Sequence, residues 1–139
     1  MEYLEPGKPA DPKWVRNASG RFFRLALLDP ESEGLSGQGG VFVVWHAGVR
    51  PRWMAIGQTN DLARQLHELG ENQDVMSYEK NGGIWVTWSP VLSQYRGGVV
   101  NFLRRTLKPM FEFGLPATKD APIPVLPPGS TVTDAAAPR

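Results

Sequence analysis

The sequence contains no cysteine, which removes disulfides, thiolate catalysis and zinc ribbons from consideration. Histidine is scarce too, with His46 and His67 the only two. There is no charge excess. The formal net charge of +1 is too small to draw the chain to nucleic acid or to a membrane surface by bulk attraction. No apolar run is long enough to span a bilayer, and residues 1–6 do not read as the basic start of a secretory signal. The expectation is a protein of the cytoplasm or of a soluble macromolecular assembly, without membrane insertion. Aromatic rings are plentiful. Five Trp, six Phe and three Tyr in 139 residues, within a hydrophobic fraction of 41%, are enough for the core of one domain.

Proline and glycine divide the chain. Pro6, Gly7, Pro9 and Pro12 make residues 1–20 an irregular arm, with Trp14 and Val15 as its apolar anchors. Arg21 to Leu28 has the length and apolar content of a strand, stopped by Asp29-Pro30. Val41 to Ala47 and Trp53 to Gly57 flank a turn at Gly48–Arg52 and predict a hairpin. Asp61 is placed to cap a helix whose stripe is Leu62, Leu66 and Leu69, with Gly70 as its stop. Ile84 to Trp88 predicts another strand. Val99, Val100, Leu103 and Leu107 predict a second helix after Gly97-Gly98, closed before Pro109. Six prolines in the 25 residues after Gly114 predict a flexible or extended tail over 115–139. The fold class is α/β of the α+β kind: a small, mainly antiparallel sheet with two packed helices over residues 21–114.

Few side chains suggest chemistry. His46 shares a strand face with Val44 and Phe42 and has no evident partner to tune it, so it reads as a polar tip at a strand end. His67 beside Glu68 lacks the i, i+4 arrangement that holds zinc on a helix. Ser36, among glycines, fits neither a nucleophile elbow nor a phosphate loop. Arg96, Arg104, Arg105 and Lys108 surround the second helix. They read either as a solvated face with cations near a helix C-terminus or as a phosphate-contacting patch. Trp85 and Trp88 must point to opposite faces of their strand, which leaves one of them as a candidate stacking surface.

Gly40-Val41-Phe42, Ala55-Ile56-Gly57-Gln58-Thr59, the Leu62–Leu69 helix and the Val99–Pro109 segment follow one another as hairpin, helix, strand, helix, proline. In this order and spacing, residues 39–112 resemble the GIY-YIG domain of homing endonucleases and excision-repair nucleases. The resemblance implies a tyrosine in each tripeptide, an arginine on the first helix, and a glutamate on the second that holds one divalent ion. Those positions fall on Phe42, Ala55, Gln65 and Val100. Arg64 is one residue away from the arginine position, about 100° around a helix. No acidic residue lies between Lys80 and Glu112. A phosphodiester is cleaved with help from a cation and a proton acceptor, and the carried-over positions supply neither.

The resemblance therefore implies a scaffold without the reaction: no enzyme, no metal and no cofactor. The expected role is a non-catalytic binding or structural module, a subunit of a protein assembly that reaches its partners through the terminal arms. A nucleic-acid binder using Arg64, Arg96, Arg104, Arg105 and Lys108 is the alternative. A nuclease with relocated residues such as Arg64 and His46 is a third.

Overall fold

The structure is a computed structural model that describes residues 9–129. Its centre is β2 (Gly40–His46), which is buried along its whole length. This strand pairs antiparallel with β3 (Arg52–Thr59) on one side and with β4 (Ile84–Ser89) on the other. A short β1 (Phe23–Arg24) pairs antiparallel with β4, giving four strands in the order β1-β4-β2-β3. The apolar run in β2 is continuous because both of its faces are covered.

The helices α1 (Leu62–Glu71) and α2 (Gln73–Met76) lie on one face. There Leu62, Leu66, Leu69 and Val75 join Phe42, Val44, Ile84, Val86 and Trp88 in one cluster. The longer α3 (Ser93–Leu107) lies on the other face, where Val99, Val100 and Leu103 meet Val41, Val43, Trp45 and Ile56. Strand alternation sorts the side chains between the two clusters. A bulge at the Val44/Trp45 step lets both Met54 and Ala55 join the α1 cluster while Trp53 packs on the α3 side. Trp88 and Trp85 do point to opposite faces, as alternation requires, and Trp85 is half-buried beneath the Arg24 guanidinium.

Several expected boundaries shift. The strand expected over 21–28 pairs only through Phe23 and Arg24, and Leu25–Leu27 forms a 3-10 turn. The rest of the β4 edge is already occupied. Val15 N–H donates to Trp88 O at 2.9 Å, and Thr87 Oγ1 donates to Val15 O at 2.6 Å. Gly70 lies inside α1, whose C-cap is Asn72. The same Asn72 side chain caps the short α2 by accepting from Val75 N–H. Asp61 caps α1 as expected and also accepts from Gly37 N–H.

The second major helix starts at Ser93, so Gly97 and Gly98 lie within it rather than before it. Their missing side chains leave a groove for the chain that follows. A Cβ on Gly98 would lie 2.6 Å from Ala121 O and 2.7 Å from Ile123, and one on Gly97 would overlap Asp120. Ile123 N–H donates to Gly98 O at 3.0 Å, and Asn101 Nδ2 donates to Thr118 O and Asp120 O.

Of the flexible or extended tail expected, residues 115–129 take the extended form, packed against the domain. Val125 is 1% exposed inside the α3-side cluster. Ala10 and Val125 form a parallel bridge, with Ala10 N–H donating to Pro124 O and Leu126 N–H donating to Ala10 O. Trp14 Nε1 donates to Leu126 O at 2.7 Å. The two proline-rich segments clasp each other across the body of the domain. Composition alone missed this because it counts the apolar content of one segment and not the groove prepared elsewhere for it. The expectations for residues 1–8 and 130–139 lie outside the described residues.

Replacing Val125 by Asp tests the clasp. A detached tail would tolerate the change. A buried Val125 predicts a loss of about 2 kcal/mol in urea unfolding and faster hydrogen exchange at the Ala10 and Leu126 amides.

Candidate functional site

The positions that the resemblance assigns to chemistry do not converge. Phe42 and Ala55 are fully buried on the α1 side of the sheet, and Val100 packs on the opposite side. Gln65 is buried on α1, whereas neighbouring Arg64 is exposed and pairs with Glu68 at 3.7 Å. The rotation between adjacent helix positions separates them as expected.

The face that carries Phe42 and Ala55 is closed by the protein itself. Residues 110–115 run along the outer edge of β3. Met110, Phe111 and Leu115 N–H donate to Trp53, Met54 and Gln58 carbonyls at 3.2, 2.8 and 2.9 Å. Gly57 permits this approach, because a Cβ there would meet Phe113 O and lie 2.8 Å from Phe42 Cζ. Phe111 and Phe113 pack against the same cluster as Phe42, with their ring centroids 6.1 Å apart. Phe111 meets Tyr78 edge-on at 6.2 Å, and Tyr78 stacks on His46 at 5.5 Å. A line of rings thus runs from Phe113 through Phe111 and Tyr78 to His46.

The basic group also divides. Arg96 Nε donates to Val91 O at 2.7 Å, and its guanidinium lies against Gly39. Arg104 Nε donates to Ile56 O at 2.8 Å, and its Nη2 donates to Phe113 O at 3.0 Å. Burial pulls the Arg104 guanidinium below the ordinary arginine range, and the nearby Glu112 opposes that shift. Arg96 and Arg104 therefore brace the fold instead of forming a shared outward patch with Arg105 and Lys108. Arg105 remains exposed on α3. Lys108 is exposed too, but its left-handed backbone (φ 51°) takes it out of the helical row. The sequence holds one clue to Arg104: it stands beside Leu103 and one turn after Val100, within reach of the apolar stripe.

His46 is 5% exposed, and its Nδ1 accepts only a long contact of 3.5 Å from Gly48 N–H. Its pKa is lowered, first by burial and then by Arg52 across the strand pair. His67 lies 3.5 Å from Glu31 at the surface, and Ser36 lies in an exposed turn. Among the described residues, no three His, Asp or Glu side chains gather closely enough to hold a metal ion. No helix among them is long and apolar enough to cross a membrane. A shallow cleft of about 260 Å³ does bring Arg64 and Gln65 together with Asp61 and Glu68. Asp61 there is already committed to Gly37 and Arg64 backbone N–H groups. Compared with models of known families, with curated proteins and with solved structures, the chain finds no match.

Two measurements check these assignments. Arg104→Met leaves two carbonyls without their charged donor and is expected to cost about 3 kcal/mol in urea unfolding. The exposed Arg105→Met control is expected to stay within about 0.5 kcal/mol. For His46, the unfolded chain binds the proton more readily than the folded one. Stability is therefore fully present above the ordinary histidine value of 6.5 and falls as the pH drops below it. Melting temperatures of His46→Gln are expected to show a weaker loss than wild type between about pH 8 and about pH 5.

Proposed function

We propose that this chain is a non-catalytic binding or structural module on a GIY-YIG-like scaffold, and that it serves as a subunit of a larger protein assembly. The order hairpin, helix, strand, helix supports the scaffold reading. One observation carries the rest: Phe42 and Ala55 lie under a cover made from residues 110–115, with Val100 on the far side of the sheet. A nuclease of that kind needs a proton acceptor and an ion-holding acid to meet at one open surface. Here the corresponding side chains are apolar, separated and enclosed.

The assembly role takes a different surface from the one first expected. The described parts of both arms, 9–20 and 115–129, make their contacts with the domain and with each other. Partner binding is better assigned to the exposed body of the domain. The nucleic-acid alternative has less behind it, because Arg96 and Arg104 face inward.

Two assays decide this reading. Purified protein incubated with plasmid and magnesium or manganese is expected to leave the DNA intact. Cleavage that vanishes in an Arg64→Ala variant overturns the non-catalytic assignment. The protein produced at its native level is expected to elute in a stoichiometric complex much larger than its own 15.4 kDa. Elution as an isolated monomer under all native conditions overturns the assembly role.

A further inference from the structure

The turn between β2 and β3 faces the loop that leads into β4, and between them lies an open cleft of about 580 Å³. Backbone contacts fix its shape. Ala47 N–H donates to Gly83 O at 3.2 Å. A Cβ on Gly48 would lie 2.9 Å from Asn81 O, and one on Gly82 would lie 2.5 Å from Ala47 O. Gly82 has a φ of +80°, so a side chain at that position would also strain the loop. Side-chain packing does not close the cleft, because the two loops meet through their main chains.

Its charge is one-sided. Arg50 and Lys80 line it, and exposed Arg52 stands across the strand pair from His46. No carboxylate lies in its wall. The neighbouring acid, Glu79, is already held by Arg24 and by Ile84 N–H. Among the described residues, none of these three cations forms an ion pair. Beside Arg50 stands Val49, fully exposed at 102% and without burial in its own fold.

We propose that this cleft docks an extended acidic segment of a partner protein, with carboxylates meeting Arg50 and Lys80 and an apolar side chain resting on Val49. The proposal rests on the reading of the chain as a protein-binding module and gives that module its surface. Charge complementarity selects an acidic partner. Two observations favour a peptide over a nucleic-acid backbone. Three cations are fewer than the roughly six to ten phosphate contacts of a strongly salt-dependent binder. The one ring in the cleft's lining, His46, is buried against Tyr78 and offers no face to a base. An aliphatic tip among cations instead suits a segment that alternates acidic and apolar residues.

The test uses the full chain and a short fluorescein-labelled peptide alternating glutamate and leucine. Anisotropy at low salt is expected to report binding that weakens as salt rises. The double variant Arg50→Glu, Lys80→Glu is expected to bind at least about tenfold more weakly, and Val49→Ser about threefold. Both charge changes are on exposed residues, and circular dichroism verifies the fold. Amide resonances of Gly48 and Gly82 are expected to move as the peptide is added. The proposal is overturned if the peptide fails to bind, if the double variant binds like wild type, or if those amides stay still. Tighter binding of oligothymidylate at the same amides overturns it in favour of nucleic acid. If the native complex survives in the double variant, this cleft is ruled out while the module reading stands. Absence of any native complex counts against the module itself.

Discussion

Arg104 reaches from α3 past the outer edge of β3 and donates to carbonyls of two different segments, Ile56 and Phe113. That one side chain holds together three parts of the molecule: a helix on one face, an edge strand, and the covering segment that comes after the helix. An edge strand with unpaired N–H and C=O groups is a template for pairing with another chain. Here the 110–115 segment takes up that role, and the guanidinium ties its far end in place. At the other side of the sheet, Phe23 and Arg24 pair with β4, and the segment around Val15 continues along the same edge. Both faces of the sheet are covered, and the outer edge of β3 is capped by residues 110–115.

The same cover decides what the α1 side of the sheet can do. Phe111 and Phe113 stand over Phe42, and the absent side chain of Gly57 makes room for the Phe113 backbone. The constraint is reciprocal. A larger residue at the glycine would expel the segment, and a polar residue at Phe42 would be buried under it without a partner. Apolar residues at these positions and the closing segment therefore form a consistent set.

Much of the architecture was legible from periodicity. The unbroken apolar run of β2, the Leu62–Leu69 stripe and the alternation of Trp85 with Trp88 all report local geometry, and all appear in the structure. What could not be read depends on contacts distant in sequence. Gly97 and Gly98 looked like residues preceding the helix because the residues that fill their groove lie more than twenty positions later. The last prolines looked like a loose tail because Val125 and Ile123 find their pocket on α3 and beside Ala10. Arg104 looked like a surface cation because a composition count carries no direction. The cleft at Arg50 and Lys80 was invisible for the same reason: its two walls come from loops about thirty residues apart.

The bond from Trp14 to Leu126 joins residues 112 apart, nearly the full span of the described chain. During synthesis, the groove at Gly97 and Gly98 on α3 stays unfilled until residues 120–123 have left the ribosome. Ala10 and Trp14 wait in the same way for Val125 and Leu126. Contacts this remote are also slow to find, because the intervening chain must be ordered first. The clasp thus closes only after the sheet beneath it has been made, and a chain truncated before Ile123 would leave the Gly97–Gly98 groove open.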